Sequence, residues 1–360
     1  TEEIMAGLWA ELLKLDKVGI HDDFFALGGH SMLAVQMVSQ LRKRAAIEIE
    51  LRNLFSYPAL GALAAFVDSN KTASRHPNLV PIRGQGHLTP LFLIHPVGGE
   101  VQYAFDLAQH LDADQPVYAL AASGLVIGET PRASITEMAT VYLEAIRHVQ
   151  VVGPYTVAGW SLGGMIAYEI AHQLLAAGET VNFVGMIDTG SSAFLRAQWR
   201  TKNVAEFDEC RAFLSWIADQ HLDVAGMRQH PAYDELMVLA ESKDIDTMLA
   251  VCQREALLPV HLDIALVKQI LAVHVGGAKA AIEYETPATE ATVILLTADD
   301  HDVEDPTLGW GDLLGERLHV TRIGGSHMSI VKPPYIEKLA HEISNRIKRY
   351  SASAELSYID

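Results

Sequence analysis

Val157-Ala158-Gly159-Trp160-Ser161-Leu162-Gly163-Gly164 is the stretch whose reading decides the fold. The apolar run from Tyr155 to Ala158 predicts a short buried strand. Beyond the glycines, Ile166, Ile170 and Leu174 share one face of a helix that stops at Gly178. Ser161 stands in the middle of the corner between them. Gly159 and Gly163, two residues to either side, let the backbone turn sharply enough to hold the Ser161 hydroxyl clear of the sheet, where a β-carbon at either flank would crowd the turn. The helix that follows offers unpaired N–H groups, Leu162 first, to negative charge developing on a substrate oxygen. A plain strand-to-helix loop uses glycines in a similar way, so the remainder of the chain has to decide between the two readings.

At 360 residues the chain is long for one domain, and two unequal ones are expected. Hydrophobic residues make up 49%, enough for a sizeable core. The net charge of −18 argues against nucleic acid and against anionic membrane surfaces, since both reward excess lysine and arginine. Cys210 and Cys252 are the only cysteines, far apart and in no metal-ligand spacing. They are expected to be packing residues in a cytoplasmic protein without a metal site. No uninterrupted apolar run is long enough to span a bilayer, and Thr1-Glu2-Glu3-Ile4 lacks the character of a signal peptide. The chain opens without methionine, already inside a helical pattern, as expected of a segment cut from a longer polypeptide or of a processed one.

The first seventy residues predict a small helical bundle. Ile4, Leu8, Leu12 and Leu15 mark one helix, and Leu33, Met37 and Leu41 a second. A short turn at Leu51 to Phe55 leads to a last helix over Ala59 to Asp68, making four helices near the lower size limit for independent folding. The loop Asp22-Asp23-Phe24-Phe25-Ala26-Leu27-Gly28-Gly29-His30-Ser31-Met32-Leu33 stands out. Two phenylalanines anchor it, two glycines free its tip, and Ser31 opens a helix, where a phosphate would meet the favourable end of the dipole. Read alone, Ser31 is an N-cap. The string FFALGGHSML resembles the attachment motif of peptidyl carrier proteins in non-ribosomal peptide synthetases. That resemblance, covering about residues 1–70, implies that Ser31 carries 4′-phosphopantetheine, whose thiol holds the growing chain as a thioester, and that a phosphopantetheinyl transferase is a partner. Ser39 and Ser56 read as ordinary helix and loop serines. The polar run from Ser69 to His76 reads as a linker, placed at 71–78.

From residue 79 onward strands and helices alternate. Leu79 to Arg83, Leu91 to His95, Val117 to Leu120, Tyr155 to Ala158, Phe183 to Ile187, Thr292 to Thr297 and Leu318 to Ile323 predict a mostly parallel sheet with helices on both faces and sites at the carboxyl ends of its strands. A final helix, Pro334 to Tyr350, buries Ile336, Leu339, Ile343 and Ile347, leaving 351–360 as a tail. The stretch around Ser161 resembles the nucleophile elbow of the α/β-hydrolases, which implies a carboxylate and then a histidine further along. In that family a second oxyanion donor follows an early strand. His95-Pro96-Val97-Gly98-Gly99 occupies that place, and since proline has no N–H the donor is Val97, or failing that Gly98. His95 itself reads as a loop histidine holding the turn. His327, in Ile323-Gly324-Gly325-Ser326-His327, lies after the last strand and is selected among sixteen histidines by position, with His301 as its alternative.

Two places remain open for the acid: Asp188, which closes one strand, and Asp299 or Asp300, which end the next. The segment resembles the thioesterase domains at the ends of non-ribosomal peptide synthetases in its GWSLGG, its MID after the following strand and its late GGSH. That family places the acid after the earlier strand, which implies Asp188. About a hundred residues separate Asp188 from the strand at Thr292, and Phe207, Phe213, Leu214 and Ile217, then Ile264, Val267, Ile270 and Leu271, give helical spacing within them. Such an insertion, about 190–285, reads as a lid. The expected whole is a carrier bundle at 1–70 followed by an α/β-hydrolase thioesterase domain at 79–350. A peptidyl or acyl thioester supplied by upstream modules passes to Ser161 and is released by hydrolysis or macrocyclisation. The alternative is a stand-alone serine esterase with an appended interaction domain.

Overall fold

The computed structural model describes the chain except residues 30, 46, 48, 50, 69–75, 126–128, 202–208, 222–228, 259–263, 301–304 and 358–360. Most of the expected linker, Phe207 and His301 therefore lie outside the described residues. The chain divides into two compact units. One takes Thr1–Ser74, Gly124–Pro131 and Ala205–Val275, and the other takes the remainder.

The first unit opens with helices α1 (Glu2–Leu13), α2 (Ser31–Ala45), α3 (Leu51–Ser56) and α4 (Leu60–Asp68). The apolar stripe of α1 differs from expectation: Met5, Leu8 and Trp9 are buried whereas Ile4 is half exposed. Residues spaced by four drift about 40° per step around a helix, so the 5, 8, 9 pattern holds one face better than 4, 8, 12. The loop before α2 is tied down by aromatic packing. Trp9 meets the Phe24 ring edge-on at 5.0 Å, Phe24 meets Phe25 at 5.3 Å, and Phe25 stacks on Phe55 at 5.2 Å. The Phe24 N–H donates to Pro58 (2.9 Å) and the Gly29 N–H to Phe24 (2.9 Å). Gly28 sits at φ 97°, and a β-carbon on Gly29 would collide with the Phe24 ring and carbonyl.

The second unit is built on a seven-stranded sheet: β1 (Leu79–Arg83), β2 (Leu91–Ile94), β3 (Val117–Leu120), β4 (Tyr155–Trp160), β5 (Val181–Ile187), β6 (Val293–Thr297) and β7 (Leu318–Arg322), in the order β1-β3-β2-β4-β5-β6-β7. Only the edge strand β1, which carries Pro81, runs antiparallel, against β3. The other pairings are parallel. Parallel strands need crossovers, supplied here by α5 (Gln102–His110), α6 (Ile135–Arg147) and α7 (Leu162–Ala176), with α8 (Ser192–Thr201) following β5. The central strands are apolar on both sides because helices cover both faces: Phe92, Ile94, Val157, Val184, Met186 and Leu295 are buried on one face, and Leu93, Ala158 and Ile294 on the other. Each such aliphatic or aromatic side chain contributes about 1.5–3 kcal/mol relative to exposure.

Between β5 and β6 the chain continues through α9 (Glu209–His221), α10 (Tyr233–Glu241), α11 (Ile245–Arg254) and α12 (Ile264–Glu283). Cys210, Phe213, Ile217 and Cys252 are buried, and neither cysteine is in a disulfide. By length and composition α12 could cross a membrane. Lys268 and Lys279 interrupt its apolar character, however, and Val267, Leu271 and Ala280 are buried in the manner of a core helix. A short helix α13 (Gly311–Leu314) precedes β7. The last helix, α14 (Tyr335–Ser357), buries Ile336, Leu339, Ile343 and Ile347 and runs past Tyr350 into the expected tail. Ser351-Ala352-Ser353-Ala354-Glu355-Leu356 contains no glycine or proline to stop it.

Candidate active site

The corner after β4 places Ser161 in a conformation that non-glycine residues rarely adopt, φ 57° and ψ −121°. Hydrogen bonds on both sides of the residue hold it there: its N–H donates to Ile187 (2.8 Å), and its carbonyl accepts from the Gly164 N–H (3.1 Å) and the Thr189 hydroxyl (2.9 Å). The glycines are needed for close approach. A β-carbon on Gly159 would strike the Gly163 backbone, one on Gly163 the carbonyl oxygens of Ile94 and His95, and one on Gly164 the Thr189 hydroxyl.

Asp188 follows β5 immediately, at φ 49°, with its N–H donating to Leu296 on β6 (2.8 Å). Its side chain is fully buried and both oxygens are engaged. Oδ1 accepts the Ala298 N–H at 2.7 Å, and Oδ2 lies 2.7 Å from His327 Nδ1. The other imidazole nitrogen, Nε2, lies 3.1 Å from Ser161 Oγ. A carboxylate on Nδ1 fixes the tautomer in which Nδ1 carries the hydrogen and Nε2 faces the serine with its lone pair. Asp300 takes a different place: its carboxylate accepts the main-chain N–H of His327 at 3.3 Å and holds the loop, not the ring. Asp299 pairs with Arg322 at 2.7 Å in an exposed position.

Leu162 begins α7, where the first N–H groups have no acceptor within the helix. Val97 lies in the turn after β2, closed by the Gly99 N–H donating to Pro96 (2.9 Å). A β-carbon built on Gly277 would sit 2.9 Å from Leu162 Cδ2 and 3.4 Å from Val97 Cγ2, so the two residues converge from different loops on one point. His95 is buried. Its Nδ1 lies 2.6 Å from the Pro96 carbonyl and its Nε2 2.5 Å from the Tyr142 hydroxyl, which leaves Nε2 to accept from Tyr142. Burial lowers its pKa to about 4, so it remains neutral and holds the turn.

Three participants were not singled out by sequence reasoning. Trp160 lies against the His327 ring and bonds its main chain, Thr189 braces the elbow, and the Ala298 N–H orients Asp188. A bulky aromatic directly before the nucleophile was the visible signal for the first. The other two depend on pairing between strands distant in sequence. On the carrier side, Ser31 is the first residue of α2, directly after the glycine-freed loop.

A serine, a histidine and a buried aspartate meeting at the carboxyl ends of a mostly parallel sheet define a hydrolase of the α/β class. Within that class the chain belongs to the thioesterase family, whose domain model matches residues 89–347. Residues 3–67 match the model of the phosphopantetheine attachment site. The chain is similar to a dimodular nonribosomal peptide synthase of Bacillus subtilis, 40% identical over 194 residues, covering 54% of this chain and 8% of that protein. It is also similar to a probable non-canonical nonribosomal peptide synthetase, CymA, of Salinispora arenicola, 28% identical over 356 residues, covering 96% of this chain and 4% of that protein. It thus spans less than a tenth of either relative. Among solved structures, a four-domain nonribosomal peptide synthetase in its holo form matches 96% of this chain over 26% of its own, at 28% identity and a TM-score of 0.65. The NocB thioesterase domain matches 73% of this chain and 96% of its own at 21% identity and a TM-score of 0.51, a likeness of fold.

Proposed function

We propose that this chain is the terminal carrier and thioesterase module of a nonribosomal peptide synthetase, and that Ser161, His327 and Asp188 perform the release of its product. The observation that carries the reading is the continuous path from the Asp188 carboxylate through both nitrogens of His327 to Ser161 Oγ, at 2.7 and 3.1 Å. The carrier is assigned to 1–70, the linker to 71–78 and the thioesterase domain to 79–350. Ser31 is the attachment point for 4′-phosphopantetheine, and its place at the start of a 15-residue helix suits a phosphate. When attached, that group supplies a thiol on which an acyl or peptidyl chain is held as a thioester.

Ser161 Oγ attacks the thioester carbonyl carbon while its proton passes to His327 Nε2. Asp188 stabilises the resulting imidazolium without taking the proton. The N–H groups of Leu162 and Val97 receive the oxyanion, in a place where fixed donors act with little reorganisation. The C–S bond breaks, the thiol leaves with the proton from His327, and the acyl group remains as an ester on Ser161. Water, or a hydroxyl or amine of the bound acyl chain, then attacks that ester with His327 again acting as base. The acyl–Oγ bond breaks, His327 returns the proton to Ser161, and the product leaves. The partners are the upstream synthetase modules and a phosphopantetheinyl transferase, in a reducing cytoplasm, a reading supported by two buried cysteines outside any disulfide.

The test is turnover of a loaded carrier thioester by Ser161→Ala. Release is expected to fall to background while mass spectrometry still shows phosphopantetheine added to Ser31. Retained turnover refutes the assignment of Ser161, and absence of added mass on Ser31 favours the stand-alone esterase.

A further inference from the structure

Trp160, the position directly before the nucleophile, bonds the main chain of His327 and meets the rings of His327 and Tyr103. It ends β4 opposite Ile187 and is 8% exposed. Its Nε1–H donates to the main-chain carbonyl of His327 at 3.2 Å. Its ring lies 5.6 Å from the imidazole, centroid to centroid, with 36° between the planes. On the other side the ring of Tyr103 approaches at 5.6 Å and 62°, and the Tyr103 hydroxyl donates to Ile94, the last residue of β2, at 2.7 Å. One indole therefore links the histidine loop to the end of the strand that leads to Val97.

The histidine loop needs such a tie. Gly324 and Gly325 precede His327 at φ 115° and 76°, positions that give the segment little stiffness of its own. The loop is also held by bonds between Ser326 and Ser329, by the Ile330 N–H to Ser326 (2.9 Å), by the Asp299 N–H to Gly325 (2.8 Å) and by the His327 N–H to Asp300, so the indole adds a tie at the residue that carries the imidazole. The indole N–H bonds the main chain of His327, and the indole ring lies tilted beside the imidazole. An aromatic face within about 6 Å attracts a cation more than a neutral group, and the indole is the strongest of the three. In acyl transfer His327 carries a positive charge after it takes the serine proton, so the contact stabilises that state more than the one before it.

We propose that Trp160 is a positioning residue for His327: it holds the imidazole between Asp188 and Ser161 and favours its protonated form during acyl transfer. This rests on the reading of His327 as the base. The other groups facing His327 are the Asp188 carboxylate at Nδ1, the Ser161 hydroxyl at Nε2, the Asp300 carboxylate at its N–H, and the Asp299–Arg322 pair beside Gly324. All of these groups remain present when Trp160 is replaced, so a shift in the titration of His327 reports the lost indole together with the ring position the indole maintains.

The experiment compares the full chain with Trp160→Leu and Trp160→Phe. NMR titration of the His327 ring, assigned with His327→Gln, is combined with pH profiles of kcat and KM on a soluble acyl thioester. In Trp160→Leu the His327 pKa is expected to fall by about half a unit, since an aromatic face favours the cation by a fraction of a pH unit. In the same variant kcat should fall about tenfold with KM unchanged, as for an interaction strengthened in the transition state. Trp160→Phe keeps a buried ring and loses the N–H, so a smaller pKa change and a kcat loss of about threefold are expected. An unchanged His327 pKa in Trp160→Leu overturns the proposal. Should that variant fail to fold, an unchanged kcat in Trp160→Phe does so instead. Failure of the underlying reading looks different, because turnover then survives Ser161→Ala whatever the titration shows.

Discussion

Ser161 and Asp188 both sit in the left-handed region, at φ 57° and 49°, where a residue with a β-carbon is strained by about 1–3 kcal/mol. Hydrogen bonds to neighbouring strands hold both in place, so the strain is fixed by the sheet and aims two side chains at one imidazole. At this scale the choice of acid has a sharp test. Asp188 accepts two N–H hydrogens, one on each oxygen, from Ala298 and from the His327 ring. An asparagine there must turn its NH2 towards one of those donors, and if it faces the ring it reverses the tautomer. Asp188→Asn is therefore expected to lower kcat for thioester hydrolysis by about 10³–10⁴, the loss known for the same change in serine proteases. Asp300→Asn keeps an oxygen for the His327 N–H and should cost less than about tenfold, the range of one ordinary hydrogen bond. Steady-state kinetics of the two variants separate the positions, and a larger loss at Asp300 overturns the assignment. Residue pattern alone left both open because Asp188 and Asp300 follow neighbouring parallel strands, β5 and β6, and reach the same rim. Only the side-chain geometry distinguishes a bond to the ring from a bond to the main chain.

The element that organises the site is the corner joining β4 to α7, and its tolerances are set by main-chain atoms. A β-carbon on Gly163 points at the carbonyl oxygens of Ile94 and His95, the end of a buried strand that cannot move aside as a flexible side chain would. Gly163→Ala is expected to destabilise the hydrolase unit by about 2–3 kcal/mol, the upper part of the range for overpacking. Gly178→Ala serves as a control: it meets open space at φ 77° and should cost about 1 kcal/mol through backbone strain alone. Urea unfolding measures both, and equal losses would mean that crowding at the elbow is not what Gly163 prevents. The need for glycine at 159 and 163 was legible in the sequence because the turn type demands it. The need at 164 was not, since it depends on Thr189, which the following parallel strand delivers. The same limit appears elsewhere. Strand positions and the apolar stripe of α14 follow from local patterning, whereas the buried face of α1 turned on a drift of a few tens of degrees that four-residue spacing conceals. Trp160 was quoted as part of a motif, yet its contacts with His327 and Tyr103 link residues far apart in the chain, and no local period announces them.

Across the molecule, each of the two compact units holds a histidine kept neutral by desolvation, the buried His95 in one and the partly buried His274 in the other. Burial lowers both to about 4, against about 6.5 in an unfolded chain. Between those values the unfolded chain binds protons that the folded one refuses. The stability these groups allow is therefore complete above about pH 6.5 and is lost as the pH falls towards 4. At pH 4.5 each histidine is expected to have cost about 2–3 kcal/mol relative to pH 7.5. Carboxylates held low, such as Asp305 under its bonds from Thr307 and Gly309, lose stability in the same direction at still lower pH, so wild-type unfolding alone cannot apportion the effect. His95→Gln and His274→Gln can. Glutamine does not titrate and retains an amide for hydrogen bonding, so each variant should be less stable at pH 7.5 but lose less on acidification, by about 2–3 kcal/mol. In urea denaturation followed at pH 7.5 and 4.5, His95→Gln and His274→Gln should each flatten the pH dependence of unfolding. If both variants keep the full wild-type dependence, the two histidines are protonated in the folded state. Tyr142 and the Pro96 carbonyl would then face an imidazolium at His95, and the neutral tautomer assigned to that turn would be wrong.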